Sequence, residues 1–157
     1  MDTYIGTKII QAEPAYRCEG TVYPKSGPYP RSMHMEDGYK VRYPDGYESW
    51  SPKTVFEEAY RPTDGISFGL AIEAMRKGKK IARRGWNGKG MFLCLADDIT
   101  FHTKADLSCV SHLNGDLTIP AIVMKTANDQ FCVGWLASQA DMLANDWQVI
   151  DLSLIHI

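Results

Sequence analysis

Between Arg83 and Lys89 the run "RRGWNGK" brings together Arg83, Arg84, Trp86, Asn87 and Lys89. Each residue type has a use in holding a nucleotide-like ligand. Arginine forks pair with phosphate oxygens in bidentate fashion. An indole offers a flat face to a purine, and such stacking is worth roughly 1–3 kcal/mol per base. Asn87 can read a base edge or a sugar hydroxyl, and glycines let the backbone approach a ligand with its N–H groups outward. From Arg76 to Gly90 there are seven basic residues and no acidic one, yet the chain carries −2, so everything else sums to −9. The positive charge is local. Part of it has a structural explanation, because Arg76, Lys77 and Lys79 fall where a helix C-terminus favours cations. Arg83 and Arg84 point to opposite faces of a strand, so at most one faces any pocket. A solvated, charge-guarded strand edge is the competing reading.

A second candidate cluster lies in "GWLASQAD": Trp135, then Ser138, Gln139 and Asp141 at a capped helix start that can receive an anion or hydroxyls. Trp147 in "DWQVI" reads as core. No nucleophile–base pair, metal-ligand cluster or carboxylate pair stands at useful spacing. His102 and His112 flank Cys109 in a polar stretch without an orienting partner. Cys18, Cys94, Cys109 and Cys132 show no CxxC pairing and read as buried free thiols in a reducing compartment. The slightly acidic balance argues against a nucleic-acid coater. No apolar run approaches the roughly 18 residues of a membrane span, and no signal-peptide pattern opens the chain.

The elements that must position these residues fall into two modules. All eight tyrosines and seven of eight prolines lie in the first 62 residues, which puts a boundary at "RPTDG", 61–65. In module 1–62, "YIGTKIIQAEP" reads as a strand and "YKVRYPDGYESW" as a hairpin turning at Pro44-Asp45-Gly46. Ser51 is expected to cap a helix with Pro52 at its first position and Val55, Phe56, Ala59 and Tyr60 on one face. In the module from 66 to 151, Ser67 caps a helix with Phe68, Ala71, Ile72 and Met75 as its buried stripe, ended by Gly78. Strands follow near 80–84 and 91–95. The stretch 97–116 is polar and irregular, with one short strand. "IPAIVMKT" pairs with "QFCVGW" across Asn128-Asp129. Ser138 caps a short helix with Met142 and Leu143 inward, and 147–150 closes the sheet. The class is α+β with mostly antiparallel sheet.

The pattern "FGLAIEAMRKGKKIARRGWNGKGMFL" followed by "IPAIVMKTANDQFCVGWLASQADMLANDW" resembles the phage Thoeris anti-defence family of the second type, over residues 66–151. The first module is similar to a small domain recurring in phage proteins. The anti-defence resemblance implies a non-enzymatic sponge, without cofactor, acting in the cytoplasm of an infected bacterium. Such proteins bind cyclic ADP-ribose isomers, and some bind cyclic dinucleotides, in homo-oligomers that are typically tetramers. It also carries Trp86, Asn87, Trp135, Ser138, Gln139 and Asp141 over as pocket candidates. The rival readings are an interaction module docking an acidic partner, and an enzyme degrading the same ligands. The last six residues, "LSLIHI", read like a translated sequencing adapter, which places the natural end near Asp151 and leaves His156 out of any site.

Overall fold

A computed structural model describes residues 1–31, 34–96 and 120–150 of the chain. Two compact units are formed, Met1–Pro62 and Thr63–Ile157. The first contains β1 (Gln11–Cys18), β2 (Thr21–Pro24), β3 (Glu36–Arg42), β4 (Glu48–Pro52) and α1 (Lys53–Ala59), with an antiparallel sheet in the order β2-β1-β3-β4. The strand expected in "YIGTKIIQAEP" starts only at Gln11. Gln11 pairs with Arg42, the last residue of β3, so residues before it have no strand to join. β1 instead continues to Cys18 and turns through Glu19 and Gly20, both at positive φ (49° and 82°), the two-residue geometry that matches strand twist. The Pro44-Asp45-Gly46 hairpin forms as expected, with Gly46 at φ 86° and the Tyr47 N–H donating to Asp45 Oδ1 at 3.0 Å.

The α1 start differs from expectation by one residue. Pro52 is the N-cap, while Ser51 stays in β4 opposite Tyr39 and makes no cap bond, because pairing with β3 extends as far as Pro52. The apolar face of α1 is also narrower than four residues. Phe56 stacks on Tyr39 at 4.1 Å and on Tyr60 at 5.0 Å, whereas Val55 and Ala59 are exposed.

The second unit holds α2 (Phe68–Arg76), β5 (Lys80–Arg83), β6 (Phe92–Ala96), β7 (Ala121–Lys125), β8 (Phe131–Val133), α3 (Gln139–Met142) and β9 (Trp147–Ile150). Its antiparallel sheet runs β8-β7-β6-β5-β9. With two antiparallel sheets and short helices, the class is α+β. Helix α2 forms where expected: Ser67 Oγ accepts the Leu70 N–H at 3.5 Å, and Gly78 ends the element at φ 80°. Ala71, Ala74 and Met75 are buried, and α2 packs on β5, β6 and β9. Ile81 and Leu93 face each other across β5 and β6 and are fully buried, each worth about 1.5–3 kcal/mol relative to exposure.

Two expectations fail in this unit. Met142 and Leu143 are exposed rather than inward, because a four-residue helix presents no continuous buried stripe. The thiols are not uniformly buried either: Cys18 is, Cys94 is half-buried, and Cys132 is exposed on edge strand β8. The stretch read as 97–116, with His102, Cys109 and His112, lies outside the described residues, as does the tail. Among the described residues no helix is long and apolar enough to cross a membrane.

Candidate ligand-binding site

Strand β5 delivers the basic run to the site. Arg84 N–H donates to the Asp146 carbonyl at 3.0 Å, and Gly85 N–H donates to Asp146 Oδ2 at 2.9 Å. The turn is thus tied to the residue preceding β9. Its glycines serve close packing more than ligand approach. A Cβ on Gly85 would lie 2.9 Å from Asp146 Oδ2, and one on Gly88 would collide with Met91 Sδ and crowd Ala127. Gly90 sits at φ 69°, with its carbonyl accepting from Lys125 Nζ at 3.2 Å.

Trp86 leads from this turn into an aromatic cluster. Its ring lies edge-on to Trp135 at 6.2 Å and to Trp147 at 5.6 Å, and Trp135 meets Trp147 at 6.3 Å. Phe68, from the first turn of α2, lies 5.2 Å from Trp147. Trp147 is fully buried, as its core reading required, and its Nε1–H donates to the Asp141 carbonyl at 2.9 Å. Trp86 and Trp135 are half-buried. Trp86 thus packs on Trp147 and still presents surface to solvent. Trp135 reaches the cluster because Gly134, at φ 85°, lets two successive N–H groups (Gly134 and Trp135) bond the single Ile122 carbonyl at 3.0 Å.

The capped turn beside Trp135 is closed on itself. Ser138 Oγ accepts the Asp141 N–H at 3.1 Å, while Asp141 Oδ2 accepts the Ser138 N–H at 3.0 Å and its hydroxyl at 2.7 Å. These end groups are already partnered, which weakens the anion-receiving reading of this helix start. Gln139 is exposed.

Arg83 and Arg84 diverge, but not by strand alternation: β5 ends at Arg83, one residue short of the expected strand, and Arg84 already lies in the turn. Arg83 is 20% exposed and donates through Nε to Asp146 Oδ1 at 2.9 Å and through Nη1 to Asp141 Oδ1 at 3.0 Å. Arg84 is exposed and donates to the Asp64 carbonyl. Asn87 and Lys89 are exposed on the turn. The Arg83 guanidinium, followed by the Gly85 N–H, holds Asp146 below the usual carboxylate range despite its partial burial. For Asp141, burial pushes the carboxyl up, but hydrogen bonds from Ser138, Arg83 and the Trp86 indole together outweigh it and leave the group lowered. Both acids are therefore anions at neutral pH. Asp146 escaped the sequence reading because nothing local marks it: its partner Arg83 is 63 positions away. Among the described residues no group of three or more His, Cys, Asp or Glu side chains could hold a metal ion.

Fold and site together define an antiparallel α+β domain that presents two half-exposed indoles beside exposed cationic and amide side chains. Residues 66–150 match the Thoeris anti-defense 2-like domain. The chain is also 34% identical over 85 residues to Thoeris anti-defense 2 of Bacillus phage SP01, covering 54% of this chain and 94% of that protein. The chain belongs to the Thoeris anti-defense 2-like family. The matched region begins at Ile66, beyond the first unit.

Proposed function

We propose that this protein is a phage anti-defence protein that binds cyclic nucleotide immune signals and sequesters them without cleavage inside the infected bacterium. Cyclic ADP-ribose isomers are the first ligand class and cyclic dinucleotides the second, so that Thoeris signalling, and CBASS-type signalling with it, is interrupted. The observation that carries this reading is the half-exposed Trp86–Trp135 pair standing beside Asn87, Lys89 and Arg84. Indole faces take purines, and the cations and amide take phosphates and hydroxyls. The name of the phage SP01 relative agrees with it. The state of the site's carboxyls argues against general-acid chemistry. Asp141 and Asp146 are both lowered and both committed to Arg83, which suits neither to donate a proton at neutral pH.

A sponge must bind below the signalling concentration, and a nanomolar dissociation constant corresponds to about −12 kcal/mol. Ordering and desolvation consume much of what one exposed turn can supply. A pocket shared between copies meets that demand, so the active form is a homo-oligomer, with a tetramer as the expected size. Edge strand β8 supports this assembly. Phe131 and Val133 on it, with Leu136 and Leu143 nearby in the chain, are 65%, 54%, 88% and 73% exposed. Soluble proteins usually guard such an edge with charge or proline.

The test is to incubate the protein with each cyclic nucleotide, denature it, and analyse the released ligand. Intact ligand is the expected result. Converted ligand would make the protein an enzyme, and absence of binding across the panel would favour a protein-docking module.

A further inference from the structure

The candidate site is built from two loops that are distant in sequence, and one side chain ties them together. Arg83 Nε bonds Asp146 Oδ1 and Arg83 Nη1 bonds Asp141 Oδ1, across 63 and 58 positions of chain. Each carboxylate then uses its other oxygen on a loop N–H. Asp146 Oδ2 holds Gly85, at the entry of the Trp86 turn, and Asp141 Oδ2 holds Ser138, at the start of α3. The arrangement is a clamp with a guanidinium at its centre and one backbone amide at each end.

We propose that Arg83 is a positioning residue: it sets the spacing between the Trp86 turn and the Trp135–Gln139 segment before any ligand arrives, instead of contacting the ligand itself. The inference rests on the reading of these two segments as ligand-binding. Its physical basis is the fork. A planar guanidinium presents several fixed N–H vectors and can satisfy two carboxylates at once, whereas an ammonium is a single point of charge on a flexible stem. With its Nε and Nη1 donors committed to carboxylates and its side chain largely covered, Arg83 differs from Arg84 and Lys89, which are exposed. Holding both loops in place lowers the ordering cost of binding, which would otherwise be subtracted from affinity.

The test combines amide exchange on the unliganded full chain with calorimetry against a cyclic ADP-ribose isomer that the wild type binds. Arg83→Met should accelerate exchange at Gly85 and Ser138 together by at least tenfold, while amides in the β6–β7 ladder keep their protection. Asp146→Ala should release Gly85 and leave Ser138 protected. In Arg83→Met, affinity should fall roughly tenfold, equivalent to about 1.4 kcal/mol. If Arg83→Met does not fold, Arg83→Lys should still lose protection at one of the two amides. Protection retained at both amides in either Arg83 variant overturns the proposal. So does a uniform rise in exchange across the whole sheet, which would mean a residue that holds the fold and nothing more local. Should the wild type bind no cyclic nucleotide, the proposed function fails, while the exchange data still decide the clamp.

Discussion

The Trp86 and Trp147 rings meet edge to face, with centroids 5.6 Å apart and planes inclined by 77°. One indole is half-buried and the other wholly so, and replacing them should have different consequences. Trp86→Ala should weaken cyclic nucleotide binding by roughly 1–3 kcal/mol. Its stability cost should be about 2 kcal/mol, below the 3–5 typical of a buried tryptophan, because part of its surface is already wet. Trp86→Phe should restore some affinity. Calorimetry and thermal denaturation on the same samples check both halves. Unchanged binding in a folded Trp86→Ala protein would remove this residue from the site.

Trp147→Ala opens the cluster from beneath and loses the hydrogen bond to the Asp141 carbonyl. It should cost about 3–5 kcal/mol of stability, with binding lost as the second unit unfolds. Urea titration followed by far-ultraviolet circular dichroism measures this. A cost under about 1 kcal/mol would be incompatible with a fully buried indole.

Acid should weaken the second unit through Asp141 and Asp146. Both have folded pKa values below their unfolded ones, so their contribution is present above the unfolded value and lost as pH falls through the folded one. The urea midpoint should hold from pH 7 to about 5 and drop below about 4. Asp146→Asn should lower the midpoint at neutral pH and flatten the acid limb. Comparing variant with wild type separates this effect from Asp37 and Glu48, lowered chiefly by Lys25 and Arg42. An identical acid limb in both proteins would contradict the assignment.

Light scattering at micromolar concentration should show a homo-oligomer, with a tetramer expected. Phe131→Glu on β8 should shift it to smaller species and weaken ligand binding in parallel. A wild-type monomer would rule out the shared pocket.

Deleting residues 1–62 should leave a soluble protein with similar ligand affinity, since the described compact unit begins at Thr63 and the family match at Ile66. A truncated chain that folds but does not bind would show that the first unit contributes to the site.

Legibility in the sequence followed the range of the interaction. Ser67 and Gly78 are local signals that took their expected roles, and the α2 stripe did so at Ala71 and Met75, while Phe68 and Ile72 are half-buried and Ala74 joins the buried face. The hairpins turning at Gly46 and Asp129 were readable for the same reason. The Ser51 cap failed because pairing with β3, a tertiary contact, held that serine in a strand. At the site, Trp86 and Trp135 were legible as residue types, but their meeting was not. Arg83 shows the limit most plainly. In the sequence it is one cation of a basic run, and only folding brings up the two acids that neutralise it.

The gathering of Trp86, Trp135 and Trp147 has an optical consequence. The chain has four tryptophans, and three of them sit within 6.3 Å of one another, close enough for their excited states to mix. The fourth, Trp50, belongs to the other unit. A purine seated on the half-exposed Trp86 and Trp135 would quench the triplet. Occupancy of the site can therefore be followed by intrinsic emission without any attached dye, and the chain lacking residues 1–62 would report it against no tryptophan background.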